Sequence, residues 1–427
     1  MKKRFVKANR NKIKVKGKMH DLLKLPKSAE KTHLITFVFV ISFLLCQLLL
    51  QIVYAKDFFE YLPKNEGNFN NILLKTFKKN TDENLIFTID PDRFIGLSNN
   101  EDAYFIKDFK RNYKKLIYKI TEKNFLSIAE NFDGRYFYWI EGERRKGYLY
   151  QSCNWRLYAY DISTNTIYFI DKCSETSISA NDDMKAKANV MWRDIFAHNG
   201  KVVYLNYEKD KKGIIYLVVK LFDLKTKKYS IIEKIPEKEN WLIYPPSIYG
   251  DNIVWCISNI TETHTMRTES GEIYLYNIKK KIKTKISPNN ELVMPRIYKN
   301  YIIALRHING ISSQDQIVLC DISKTPIRWK IIVYPELYSV KNSNMITFAD
   351  PYISGGYLSW YGNYLKDGIY IFSLNDLKYY RIPYLKPQKG YSNYIMLYSE
   401  NPSTNLFIRS YFKNNTNEKY SEYLILK

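Results

Sequence analysis

The feature that most limits what this chain can become is a repeat of about fifty residues that returns along most of its length. Its first half is a short aromatic-rich strand entered by a Gly/Asn/Asp turn. Copies are FDGRYFYWI from Phe132, HNGKVVYL from His198, YGDNIVWCI from Tyr249, YKNYIIAL from Tyr298, SGGYLSWY from Ser354 and YSNYIMLYS from Tyr391. EDAYFIKDF from Glu101 reads as a weaker copy. The second half runs apolar-Tyr-x-aromatic-Asp/Asn-apolar, as in LIYKIT from Leu116, RLYAYDI from Arg156, VKLFDL from Val219, EIYLYNI from Glu272 and QIVLCDI from Gln316. Setting these halves in register aligns Thr121, Asp161, Asp223, Asn277, Asp321, Ser373 and Lys427, at spacings of 40, 62, 54, 44, 52 and 54. Short alternating strands at this interval, with no clear long helix between them, predict an all-β propeller. Seven blades is the predicted count, with six the alternative because the first copy is degenerate. The Asp or Asn that ends the third strand of a repeat suits a tight turn, since its side chain can cap the backbone there.

The ends of the array predict how the ring closes. The last repeat finishes at Lys427 on its third strand, and LIFTID, Leu85–Asp90, lies ahead of the first repeat without a blade of its own. That segment is expected to complete the final blade, which removes strand edges that invite aggregation. The propeller is assigned to residues 85–427. Residues 56–84 are polar and Asn/Lys-rich apart from Ile72, Leu73, Leu74 and Phe77, and read as a stalk.

The DGRYFYW and NGKVVYL openings and the IYLYNI and LYAYDI third strands resemble the bacterial TolB-like and WD40-like propeller repeats over residues 85–427. The resemblance implies a propeller fold and, by the habit of such families, a platform for binding or scaffolding.

Charge divides the chain before the repeats begin. Residues 1–33 hold twelve Lys/Arg against two acids, a net of +10, and the rest holds 54 basic and 41 acidic residues, a net of +13. A basic run alone suits nucleic acid. Here it precedes LITFVFVISFLLCQLLLQIVYA, Leu34–Ala55, which has no Lys, Arg, Asp or Glu. As a helix these residues reach about 33 Å, enough for a bilayer core of about 30 Å. A transmembrane helix is therefore expected, with the basic tail cytoplasmic and the propeller extracytoplasmic by the positive-inside rule. The alternative is a signal sequence cleaved near Ala55 and a secreted ring; the long apolar run and long basic segment favour a retained anchor. Cys46 sits mid-span and reads as a packed thiol. Nucleic acid is the weaker partner reading.

Motifs for chemistry are sparse. No Gly-x-Ser-x-Gly, P-loop, dinucleotide fingerprint or Asp-x-Asp-x-Asp-Gly calcium loop occurs. Asp182–Asp183 falls in a polar insertion and reads as a solvated loop. His198, His264 and His307 follow the apolar segment without metal-ligand spacing, so each reads as a turn or loop histidine. His307 beside Arg306 is the pair to watch for a site assembled in a propeller funnel. Trp139, Trp255 and Trp360 recur at equivalent strand positions and read as packing between blades. Trp241 and Trp329 fall outside that register, as do Trp155 and Trp192, which flank long loops and read as the better exposed contacts. Cys153 and Cys173 bracket one blade's outer strands and could pair in an oxidising exterior. Cys256 and Cys320 read as small buried residues.

No catalytic, cofactor-binding or metal residue is assigned. The expected protein is a membrane-anchored extracytoplasmic propeller with a monomeric outer domain, acting as a binding or scaffolding module for a protein or an anionic cell-envelope polymer. The alternative is a carbohydrate lyase or hydrolase with its site in the funnel. A third reading is a sensor that signals through the span to the basic tail.

Overall fold

The computed structural model describes residues 42, 59–79, 83–98, 100–143, 154–173, 194–236, 241–262, 267–308, 315–333, 349–361, 364–365, 368–383, 391–394, 406–413 and 419–427. Among these, alternating side chains and Gly/Asn turns give strands that join into seven sheets. Sheets 1 to 6 span 83–119, 125–173, 196–236, 241–285, 292–333 and 349–383, each built mainly from consecutive antiparallel strands. Sheet 7 uses Tyr391–Tyr394, Leu406–Lys413 and Lys419–Leu426. First strands of sheets 2 to 6 touch those of their neighbours and line the axis of a β-propeller.

One end of the ring is a set of tight turns with a repeated bonding plan. The Asp or Asn closing a third strand accepts from the turn backbone: Asp161 from Ser163 N at 2.8 Å, Asp223 from Lys225 N at 2.9 Å, Asn277 from Lys280 N at 2.9 Å and Asp321 from Ser323 N at 3.0 Å. The capping role expected from the sequence is present in each. The residue after the cap then donates its N–H to the first turn of the same sheet, as Ile162 does to Arg135, Leu224 to Gly200, Ile278 to Asp251 and Ile322 to Asn300. Four residues beyond the cap the backbone turns left-handed, at Asn112, Asn165, Lys227, Lys281 and Leu377. The opposite end carries the longer connections.

The core lies between the sheets, in six hydrophobic clusters. Phe87, Tyr104, Phe137 and Trp139 join sheets 1 and 2. Tyr138 and Tyr204 join sheets 2 and 3, and Val203 and Trp255 join sheets 3 and 4. The largest cluster runs from Val254 of sheet 4 through Trp329 of sheet 5 to Trp360 of sheet 6. Ile371 and Leu424 bridge sheets 6 and 7, and Tyr423 packs with Leu85 and Phe94 to bring sheet 7 against sheet 1.

Three sequence expectations are corrected. Leu85–Asp90 does not close the ring. Its strand, Glu83–Thr88, is the first strand of sheet 1 and pairs with Arg93–Ser98 across a short turn capped by Asp90. A local hairpin closes a far shorter loop than pairing with the other chain end, so its entropic cost is smaller. Closure falls instead to residues 59–79, which do not form a stalk. β1 (Phe59–Tyr61) lies parallel to the outer strand of sheet 5, and β2 (Glu66–Gly67) lies parallel to that of sheet 6. β3 (Leu73–Lys79) pairs antiparallel with Lys419–Leu426 and supplies the fourth strand of sheet 7. The first repeat is also re-registered. Its third strand is Ala103–Asp108, so the aligned residue is Asp108 rather than Thr121, and Leu116 belongs to the outer strand Tyr113–Lys119. Asp108 to Asp161 is 53 residues, which restores the period.

The expected span Leu34–Ala55 lies outside the described residues apart from Ser42. Among the described residues no helix is long and apolar enough to cross a membrane.

Candidate functional site

A first strand offers one unpaired edge to the axis, where a proline breaks no ladder hydrogen bond. Sheets 4, 5 and 6 place Pro246, Pro295 and Pro351 there, inside bulges between Tyr244 and Ser247, Val293 and Arg296, and Ala349 and Tyr352. Sheets 1 and 2 bulge between Leu85 and Phe87 and between Ser127 and Ala129. Met294, in the sheet 5 bulge, is left-handed at φ 52°. Bulges bend the strand and re-aim the side chain that follows. In equivalent positions these are Ser247, Arg296 and Tyr352.

Arg296 makes most of this geometry. It is 6% exposed, and its guanidinium stacks 4.5 Å above the Phe196 ring. Nη2 lies 3.3 Å from Asp194 Oδ2, and Nη1 donates to the Pro295 carbonyl at 3.2 Å. One side chain of sheet 5 thus reaches the entry to sheet 3. Glu130, on the first strand of sheet 2, accepts from Ser127 Oγ and, at 3.4 Å, from the Tyr104 hydroxyl. Burial, opposed by the Tyr104 bond and reinforced by the charges of Glu101 and Asp194, pushes the Glu130 carboxyl up to about 7. First strands of sheets 2 and 5 and the entry to sheet 3 therefore carry a carboxyl balanced near neutrality, a second carboxylate and a buried arginine. Such a set can exchange a proton or hold a polar ligand.

The watched pair, His307 and Arg306, does not converge. His307 is buried, and its Nε2 lies 3.6 Å from Glu269 Oε2 of sheet 4. Glu269 Oε1 also accepts from the Tyr244 hydroxyl at 2.6 Å and the Ser258 hydroxyl at 2.5 Å. Burial alone would raise the Glu269 carboxyl, but the bonds from His307, Ser258 and Tyr244 hold it below the ordinary glutamate range. Arg306, the preceding residue on the strand, points to the other face. There its Nε donates to Glu291 at 2.7 Å and Nη1 to Gln316 at 3.0 Å, while the guanidinium stacks 3.8 Å over Phe59 of β1. Each side chain faces its own carboxylate.

The remaining sequence candidates are mostly structural. His198 ends a first strand, accepts from Gly250 N at 3.0 Å and stacks on Tyr249, and burial lowers its imidazole. Trp139, Trp255 and Trp360 are buried between sheets as expected. Trp155 is corrected: it is 3% exposed and packs edge-on against Tyr204, because its strand begins inside the sheet 2–3 interface. Trp329 is buried with Nε1 on the Ile286 carbonyl, and Trp241 is half-buried. Cys256 and Cys320 are buried free thiols, pushed well up by burial. Cys173 is buried; Cys46, Cys153, Asp182, Asp183, Trp192 and His264 lie outside the described residues.

Sequence reasoning missed Glu130, Arg296 and Glu269. A signal for Arg296 was present: proline recurs one residue before Ser247, Arg296 and Tyr352, where only a strand with a free edge accepts it. Glu130 and Glu269 had none, since Tyr104 and His307 reach them from neighbouring sheets.

No protein-family model and no curated protein matches the chain. Similar solved structures include two prolyl endopeptidases studied for inter-domain dynamics in catalysis and specificity, at 12% identity and TM-score 0.51, covering 80% of this chain and 46% of that one. Prolyl oligopeptidase B from Galerina marginata, in its apo form, is similar at 10% identity and TM-score 0.50, covering 81% of this chain and 49% of that one. An oligogalacturonate lyase in complex with manganese matches at 12% identity and TM-score 0.47, over 86% of this chain and 99% of that one. The chain spans about half the length of the prolyl peptidases it matches. The two prolyl peptidase likenesses support the propeller fold and say nothing of the TolB-like or WD40-like families.

Proposed function

We propose that this protein is a binding or scaffolding propeller, held at a membrane by Leu34–Ala55 with its ring outside the cytosol, and that it takes a protein or an anionic envelope polymer. The observation that carries this reading is the back-to-back placement of His307 and Arg306, each already closed on Glu269 or Glu291. His307 is engaged in joining sheet 5 to sheet 4, and Arg306 in bracing sheet 5 and β1. A net charge of +13 beyond the tail supports an anionic ligand. The test is a binding isotherm of the full chain against purified anionic envelope polymer across a salt series. Salt-sensitive saturation supports the reading, and absent or salt-independent binding removes its electrostatic basis.

A second reading, an extracytoplasmic carbohydrate lyase or hydrolase, is favoured by one observation. Glu130 is poised to gain or lose a proton near neutral pH within the field of Asp194, which itself bonds Arg296. Turnover of an acidic oligosaccharide that Glu130→Gln abolishes, with the fold retained, would make this the better account. No turnover in the unmodified chain would remove it.

A further inference from the structure

We infer that the tight-turn end of the ring docks on an anionic lipid surface; this rests on the reading of Leu34–Ala55 as a membrane anchor. The first observation is the path of the chain. Only residues 56–58 separate the apolar run from β1, a reach of about 14 Å when fully extended. β1 pairs in parallel with Trp329–Val333, placing Phe59 opposite Trp329, immediately after the turn that follows Asp321. The chain therefore enters the ring at its tight-turn end. A ring so tethered cannot stand off from the bilayer as a stalk would allow.

The second observation is the division of charge within those turns. In sheets 2, 3 and 5 the acid is the capping group: Asp161 is buried, and Asp223 and Asp321 are half-buried, each facing its own turn backbone, whereas Asp376 in the sheet 6 turn is exposed and Asp251 in the sheet 4 turn is half-buried. The bases stand outward, with Lys225, Lys227, Lys279, Lys280, Lys281 and Lys324 all exposed. Some are engaged with neighbouring acids, Lys279 at 2.7 Å from Asp251 and Lys324 at 3.6 Å from Asp321, but both lysines remain over three-quarters exposed. In sheets 3 and 5 the turn holds its acid against its own backbone and the positions that follow carry lysine. A face of this kind is attracted to an anionic leaflet through each of its exposed lysines. The attraction acts within about one Debye length, and the short tether keeps the ring near that range.

The test is amine-reactive footprinting of the full chain in vesicles, read lysine by lysine by mass spectrometry. Vesicles of phosphatidylcholine alone are compared with vesicles holding about 30 mol% phosphatidylserine. Labelling of Lys225, Lys227 and Lys279–Lys281 should slow on the order of fivefold in the anionic vesicles and recover at about 1 M salt. Lys211 and Lys212, in a turn at the opposite end, should label at one rate in both. Equal slowing at both ends, or none in a chain that resists alkaline carbonate extraction, overturns the docking. A chain released by carbonate refutes the anchor, and docking then stands only if that chain floats with anionic vesicles and keeps the same labelling pattern. Slowing by soluble anionic polymer but not by vesicles overturns the lipid version.

Discussion

Sheets 5 to 7 and sheets 1 to 4 are built from the same repeat, yet their outer edges are finished in opposite ways. β1, β2 and β3 cover the outer strands or complete the edge of sheets 5, 6 and 7. Beneath the first two, Trp329, Ile331, Tyr379 and Ile382 are each no more than 2% exposed. The outer strands of sheets 1 to 4 have no added strand among the described residues, and Leu116, Phe169, Tyr229 and Ile282 are all more than half exposed. The apolar residues are of the same kind in both halves. What differs is whether a strand from elsewhere in the chain pairs with the outer edge. The bare edges carry lysine instead, at Lys114, Lys119, Lys228, Lys234, Lys283 and Lys285, which discourages edge-to-edge pairing. One half of the ring is sealed by covalent economy, the other by charge.

The largest test removes the seal. Deleting Leu73–Lys79 takes the fourth strand from sheet 7 and should lower the melting temperature on the order of 10 °C or more. Hydrogen exchange should rise first in Lys419–Leu426 and Lys378–Pro383, with sheets 2 to 4 protected longest. An unchanged melting curve would show that the wrap is decoration. Uniform loss of protection would show that the two halves are one cooperative unit.

Next in size is the join between the halves. Glu269 of sheet 4 holds His307 of sheet 5, along with Tyr244 and Ser258. Glu269→Ala strands these donors in a dry interface and should cost about 3–5 kcal/mol in urea denaturation. Glu269→Gln, which keeps an acceptor oxygen, should lose less. Equal losses for the two variants would mean that the acceptor oxygens of Glu269 contribute nothing beyond shape.

Glu130 tests the bare half through pH. Its carboxyl is raised from an ordinary value near 4.5 to about 7 in the fold. The folded state therefore binds more protons than the unfolded one between those values, and stability falls as pH rises through that window. Glu130→Gln cannot ionise, so its melting temperature should exceed that of the unmodified chain above pH 7, with the advantage shrinking toward pH 4.5. A parallel pair of melting-temperature profiles would remove Glu130 as a titrating group. Failure of Glu269→Ala to alter this pH profile would show that the two carboxylates are independent.

The propeller was legible because its repeat is set by local rules: alternation within strands, and an Asp or Asn cap followed by a turn. Asp161, Asp223, Asn277 and Asp321 occupy the positions those rules require. Closure was not legible, because β1 and β2 are three and two residues long and gain their order from parallel pairing with strands more than two hundred residues away. No period marks such segments. The first repeat was misread for a related reason: its outer strand, Tyr113–Lys119, carries the same aromatic alternation as a third strand, and only pairing separates the two. Among site residues, His307 was visible as a residue but its role was not, since Glu269 reaches it from another sheet.

The smallest effect makes the finest comparison between the halves. Lys281 in sheet 4 and Leu377 in sheet 6 occupy the same left-handed turn position, with φ of 56° in both. A side chain there costs about 1–2 kcal/mol that glycine avoids, less the larger entropy glycine loses on folding. Lys281 is exposed and lies in a bare-edged sheet, so Lys281→Gly should raise stability by about 0.5–1 kcal/mol in chemical denaturation without vesicles. Leu377 packs against the large cluster that runs through sheets 4 to 6, so Leu377→Gly gives up burial along with strain. The apolar loss, about 1.5 kcal/mol or more for a side chain of this size, cancels the gain or exceeds it. Stabilisation by both substitutions would mean that the wrapped half holds its turns no more tightly than the bare one. Stabilisation by Lys281→Gly alone would place the difference between the halves in packing, since the turn itself is common to both.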